Sequence, residues 1–263
     1  MNSSPMNVHP TAIIDPGAKV PASCQVGPYC VIGAGVELGE NCRLLPHVTI
    51  EGPATIGVDN AFFPFCAIGT APQDITYRGE LTRLEIGHHN EIREYVTINR
   101  GTVKGGGVTR VGSHLLIMAY SHIGHDCVVA DHAMLVNQAT LAGHVIVEEW
   151  AVVGALSAVH QFARVGAHAY IGGGTIITRD VLPFSMTSAE REANAYGVNK
   201  VGLERRGFSS ERLAKIHHAY KILLASKLNT SQALEQLKSE ADRGEDVDML
   251  IRFIETSERG VIK

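Results

Sequence analysis

The chain lacks any long hydrophobic run: no stretch approaches the roughly 18 consecutive apolar residues of a membrane-spanning helix, so no membrane span is expected. It also has little net charge. With 23 Lys and Arg against 27 Asp and Glu, the formal charge of -4 provides no bulk attraction for nucleic acid or an anionic membrane. The opening residues, MNSSPMNVHP, contain no basic segment followed by an apolar one, and so predict a protein without a secretory signal. The five cysteines, at 24, 30, 42, 66 and 127, include no Cys-x-x-Cys pair. That removes the usual zinc and redox motifs and predicts reduced thiols in a cytoplasmic protein. What the chain does have is an apolar content of 45%, ample for a continuous core over 263 residues.

That apolar content is periodic. Every sixth residue from Ile14 is large and apolar: Ile14, Val20, Val26, Ile32, Leu38, Leu44, Ile50, Ile56, Phe62 and Ile68. At this composition, ten hits in one fixed phase arise by chance less than about once in a thousand trials. The pattern reappears at Ile86, Ile92 and Ile98, pauses, and then runs unbroken from Val111 to Ile177. Two residues before each large position the side chain is usually small, as at Ala12, Cys24, Ala54, Ser121, Ala133 and Ala151. Strand alternation turns both to the same side, so large and small residues share a narrow interior. All five cysteines hold the small inward position, which predicts packed, inert thiols. Glycine often follows the large residue, as in Val26-Gly27 and Ile123-Gly124, and is read as a corner needing unusual dihedrals. Three hexads make one triangular coil of 18 residues, and about nine coils stacked at roughly 4.8 Å make a parallel β-helix.

Two stretches break the period, near 69–85 and 99–110, and are expected to leave the helix as loops that carry binding groups. The β-helical domain is assigned to residues 1–190. The rest, 191–263, reads as a C-terminal α-helical region. Leu213, Ile216, Tyr220 and Leu223 follow a Ser209-Ser210 cap at helical spacing, with further helices expected from about 231 to 240 and 247 to 257. Arg205, Arg206, Arg212, Lys215, Lys221 and Lys227 make this region locally basic, as either a solvated helix face or a surface for an acidic partner.

Thirteen histidines are many for this length, and several share one strip of the surface. Residues 18 apart lie over one another in adjacent coils, which stacks His125, Gly143 and Gln161. His144 and His160 stand beside that column, and His122 lies three residues before it. Such a cluster has three uses: three ligands for zinc, as in β-helical carbonic anhydrases, a general base for an alcohol nucleophile, or stabilisation of the coil surface and subunit contacts. The general base is the expected one, with no metal.

Several segments in order along nearly the whole chain carry a specific resemblance: QDITYRGE (73–80), VTINRGT (96–102), HIGHDC (122–127), LAGHV (141–145), AVHQF (158–162), GAHAYIGGG (166–174) and GLERRGF (202–208). They resemble the UDP-N-acetylglucosamine O-acyltransferase family that begins lipid A biosynthesis. The general crossover rule favours a right-handed coil, whereas the resemblance implies a left-handed one. It also implies a cytoplasmic homotrimer with active sites between neighbours, and no cofactor, since the phosphopantetheine thioester of acyl carrier protein is a substrate. His125 would be the general base that deprotonates the glucosamine 3-hydroxyl of UDP-N-acetylglucosamine for attack on a 3-hydroxyacyl thioester. The Gly143 N–H would be the oxyanion donor, and Asp126 would tune or orient His125, although strand neighbours are expected to point apart. Gln73, Asp74 and His122 would bind the sugar side of the substrate, and His144, His160 and Gln161 the acyl or sugar-diphosphate side. Asn199 and Arg205 would meet the nucleotide, and Gly173 would gauge acyl length. Three features depart from the family pattern. Thr76 stands where lysine is common, residues 188–193 replace a shorter stretch, and Val201 replaces a frequent glutamate. A hexapeptide acetyltransferase using acetyl-coenzyme A is the alternative enzyme; the helical C-terminal region and its GLERRGF segment favour the carrier-protein reaction.

Overall fold

The computed structural model describes residues 7–187, 198, 200–205 and 207–255. The chain divides into two compact units, residues 1–190 and 191–263. The first is a left-handed parallel β-helix whose walls are three sheets of nine, seven and nine strands. Most strands are two residues long, the first facing out and the second buried, as in Val31–Ile32 and Thr140–Leu141. Two-residue strands are marginal alone, so each depends on hydrogen bonds to the coils before and after it. His122 N–H donates to Ala139 O at 2.9 Å and Gly124 N–H to Leu141 O at 2.9 Å, and this pattern repeats from coil to coil. The ladder aligns the large apolar residues, with Ile98 beside Ile123 and Ile123 beside Leu141. Ile32, Ile50, Ile68, Ile98, Ile123 and Leu141 are all buried in the interior.

The corners differ from the sequence expectation. Gly27, Gly33, Gly57, Gly124 and Gly172 do not adopt positive φ. At most of them glycine serves close stacking instead: a Cβ on Gly124 would come within 2.9 Å of Leu141 O. The left-handed backbone lies two residues later, and there it is mostly held by residues with side chains, including His47, Phe65, Tyr95, Tyr120, Asp126 and His144. Each such residue costs about 1 kcal/mol or more of backbone strain. Ring stacking offsets part of that cost, by about 0.5–1.5 kcal/mol per pair. The rings of Tyr29, His47, Phe65, Tyr95 and Tyr120 form one continuous ladder with centroids 4.7–5.1 Å apart, close to the coil spacing. A second ladder runs from His89 through His114, His132, Trp150 and His168 to Phe184.

The two breaks are shorter than the sequence suggests, because their flanks pair. Strands Ala67–Thr70, Arg83–Ile86 and Val108–Val111 leave loops over 71–82 and 100–107. The coil also continues past Asp180: strand Met186–Thr187 pairs with Tyr170–Ile171.

The second unit contains four α-helices among the described residues, α1 (Lys200–Arg205), α2 (Ser210–Tyr220), α3 (Thr230–Ser239) and α4 (Glu245–Glu255). Helix α1, which overlaps the start of GLERRGF, is too short for its apolar spacing to announce it. Ser209 caps α2 by accepting from Arg212 N–H, and Asn229 with Gln232 forms a capping box on α3. Ala219, Leu223, Ala233, Leu237, Val247 and Ile251 form its core. Among the basic residues here, Arg212 is held by Asp246, and Lys215 by Glu211 and Asp242.

All five thiols are buried within the β-helix. Burial raises every one of them above the ordinary cysteine range, Cys42 to about 11 and Cys66 and Cys127 to about 12. The native protein at pH 8 is therefore expected to leave an aromatic disulfide reagent unreacted over minutes, whereas the denatured chain titrates five thiols. Rapid labelling of any thiol in the native protein would show that the interior is not packed as described.

Candidate active site

His125, Asp126, Gly143 and His144 meet at one corner of two adjacent coils. Register places residue 143 directly over 125, because His122 pairs with Thr140 and Ile123 with Leu141. The His125 ring occupies the space beside Gly143 where a side chain would otherwise stand. A Cβ on Gly143 would stand 2.5 Å from His125 Cε1 and 2.7 Å from Nε2, so only glycine leaves room for the imidazole. The Gly143 N–H has no acceptor among the described residues.

His125 and Asp126 do not point apart. Asp126 occupies the left-handed corner, φ 61°, and this swings its carboxylate beside its neighbour's ring. His125 Nδ1 lies 2.8 Å from Asp126 Oδ2, with the Asp126 side chain almost wholly buried. A carboxylate only accepts, so Nδ1 carries the proton and the Nε2 lone pair remains available. His144 stands edge-on to His125, with Nε2 3.6 Å from the same Asp126 oxygen, and its ring stacks on Phe162.

Both loops converge here. From the second, Thr102 donates its N–H to Asp126 Oδ1 at 2.7 Å and its hydroxyl to Oδ2 at 2.6 Å. From the first, Asp74 accepts from the Thr76 N–H and hydroxyl at 2.7 and 2.8 Å. Those two bonds hold its carboxyl below the ordinary range, with smaller contributions from the Lys104 charge and from His125 when that ring is protonated. Lys104 Nζ donates to the Thr76 hydroxyl at 3.0 Å, so an ammonium from the second loop reaches the residue where lysine is absent. Arg100 ties the loops together by donating to Gly69 O and to the Tyr77 hydroxyl. His122 pairs with Thr97 Oγ1 at 2.7 Å, and burial, reinforced by His125 whenever that ring is protonated, lowers its pKa and favours the neutral ring.

The other expected site residues are less tightly joined. His160 and Gln161 are exposed one coil further along, His160 Nδ1 lying 3.1 Å from the backbone oxygen of Gln161. Gln73 is exposed on the first loop, and Gly173 is exposed two coils from His144. Asn199 and the side chain of Arg205 lie outside the described residues, as do residues 188–193. Thr97, Thr102 and Lys104 were not singled out from the sequence. Thr97 and Thr102 sit within VTINRGT, but their partners depend on how the loops fold back.

His125, Asp126 and His144 bring three possible metal ligands within 4.8 Å of one another. Both Asp126 oxygens already accept hydrogen bonds, so a metal ion would have to break the His125–Asp126 pair. The arrangement is better suited to proton transfer: an imidazole with a free nitrogen beside an unpartnered backbone N–H.

Residues 5–39 match a model of bacterial transferase hexapeptide repeats, and residues 180–262 match the second domain of UDP-N-acetylglucosamine O-acyltransferase. Over 256 residues the chain is 48% identical to the acyl-[acyl-carrier-protein]–UDP-N-acetylglucosamine O-acyltransferase of Thiobacillus denitrificans, covering 97% of this chain and 99% of that one. The chain belongs to this acyltransferase family. The Xylella fastidiosa member is 44% identical over the full length of both chains. Among solved structures, the UDP-N-acetylglucosamine acyltransferase of Francisella novicida is 41% identical with a TM-score of 0.69, covering 97% of this chain and 93% of that one. The Moraxella catarrhalis enzyme is 40% identical with the same TM-score, covering 98% and 100%.

The space above Gly143 yields a direct test of this corner. Its backbone does not require glycine, but a methyl group would displace the His125 ring. Gly143→Ala is expected to lower acyl transfer about 100-fold, the scale of an ångström-level misplacement, with an unchanged circular dichroism spectrum. Wild-type turnover in that variant would mean that the ring position is not critical.

Proposed function

We propose that the chain transfers a 3-hydroxyacyl group from acyl carrier protein to the 3-hydroxyl of the glucosamine in UDP-N-acetylglucosamine, with His125 as general base. The observation that carries this reading is the His125–Asp126 pair lying against the open Gly143 N–H. Nε2 takes the hydroxyl proton as the sugar oxygen attacks the thioester carbonyl. The tetrahedral oxyanion draws on the Gly143 N–H. Collapse expels the phosphopantetheine thiolate, which recovers the proton from His125.

Asp74, Gln73 and His122 bind the sugar, and a neutral His122 offers hydrogen bonds without a competing charge. His144, His160 and Gln161 line the acyl or sugar-diphosphate side, and Asn199 and Arg205 meet the nucleotide. Gly173 leaves the acyl groove open: a Cβ there would meet only Ala155 within 4 Å, most closely its carbonyl oxygen at 3.1 Å. Two further properties belong to the same reading: a cytoplasmic location, where the carrier-protein thioester is available, and a homotrimer. Support for the trimer comes from Ile75 and Leu81 on the first loop, which are 93% and 88% exposed and would be covered by a neighbouring copy.

His125→Ala is expected to cut turnover about 100- to 10,000-fold, the usual contribution of a general base, while folding and assembly state are retained. Near-normal turnover would remove His125 from the chemistry. Lys104→Met tests the cationic contact beside Asp74 and Thr76. Loss of one charge-assisted bond should raise the KM for the nucleotide-sugar about 10-fold with little change in kcat, and an unchanged KM would exclude the contact.

A further inference from the structure

The second loop does more than border the site. Thr102 is only 4% exposed, and its N–H and hydroxyl make three polar contacts, all directed at Asp126 or at the turn that covers it. Its N–H and hydroxyl each donate to a different Asp126 oxygen, and its hydroxyl oxygen accepts from the Gly105 N–H at 3.2 Å as the cap of the 3-10 turn Val103–Gly105. That turn lies against the carboxylate so closely that a Cβ on Gly105 would come within 2.5 Å of every carboxylate atom. From the other side, the Asp126 N–H donates to Thr109 Oγ1 at 2.8 Å. Asp126 is therefore held on three sides, and its one remaining direction faces His125, with His144 next nearest.

We propose that Thr102 is a positioning residue for the transfer reaction, acting through Asp126 to fix the tautomer and orientation of His125. This rests on the reading of His125 as the general base. With its oxygens pinned by Thr102, Asp126 presents Oδ2 to Nδ1 at 2.8 Å and not to His144 Nε2 at 3.6 Å. Two imidazoles compete for one oxygen, and the loop decides between them. Released from Thr102, the carboxylate is free to turn toward His144, leaving His125 without a partner to keep its proton on Nδ1. Gly105 belongs to the same device, because its missing side chain is the space the carboxylate occupies. Its φ is not in the left-handed region, and the atoms nearest its missing side chain all belong to the Asp126 carboxylate, so alanine there acts first on that contact.

The test compares Thr102→Val, Thr102→Ser and Gly105→Ala in the full-length protein, with His125→Ala in parallel. Thr102→Val keeps the shape and loses the hydroxyl; its kcat should fall about 10-fold while the KM for the nucleotide-sugar stays within about twofold. Serine should restore kcat, and Gly105→Ala should show the same split as valine. Nitrogen-15 spectra should show His125 protonated at Nδ1 in the wild type and in Thr102→Ser, and a mixture of tautomers in Thr102→Val. Wild-type kcat in Thr102→Val alongside an inactive His125→Ala would overturn the role of Thr102 and leave the base in place. A loss that serine does not recover, with the His125 tautomer unchanged, would likewise reduce Thr102 to packing. Normal turnover in His125→Ala would instead remove the base, and this inference with it.

Discussion

The coil-to-coil hydrogen-bond ladder is the constraint on which everything else depends. Two-residue strands have no stability of their own, so each coil must sit in register on the last. That register places residues 18 apart above one another. The loops respect it. Across the first loop the offset between bonded coils lengthens to 30 residues, as from His88 to Val58, and across the second to 25, as from Ser113 to His88. The ladder nonetheless resumes with Leu84 beside Ala54 and Thr109. An insertion is tolerated if its ends return to neighbouring rungs, and both loops of the site meet that condition.

The same register makes the corners expensive and useful. Left-handed φ at residues with side chains costs energy, and stacked rings recover part of it along two edges. At the third edge the residues are Asp126, His144 and Phe162, and only the last two stack. Asp126 is anchored by the second loop instead, and its corner conformation brings its carboxylate to His125. The His125–Asp126 pair thus arises from a backbone state that recurs throughout the coil, through a change of side chain and a covering turn.

Charge is distributed in keeping with that chemistry. Burial lowers the pKa of His122, hydrogen bonds from Thr76 favour ionised Asp74, and Lys104 closes the chain from Asp74 through Thr76 to the second loop. The thiols, the other group of potential nucleophiles, are withdrawn into the interior, where burial raises their pKa values to as much as about 12. Reactive groups lie on the outer strip and packed groups within, a separation the narrow coil enforces.

By itself the sequence determined the period, and with it the parallel β-helix, the inward cysteines, and the column that stacks His125 on Gly143. These follow from strict repetition, because a residue's place in a solenoid is set by counting. It also located both loops and the cap at Ser209, since breaks in period and capping residues are local signals. The tertiary structure alone decided how side chains leave the corners. Alternation predicts that His125 and Asp126 diverge, but left-handed φ at Asp126 overrides it. It alone decided which loop residues reach the site as well. Thr102 and Lys104 lie in a stretch without periodicity, and their partners, Asp126 and Thr76, are 24 and 28 residues away. Counting places what the ladder repeats, whereas a loop's contacts depend on its path across the surface.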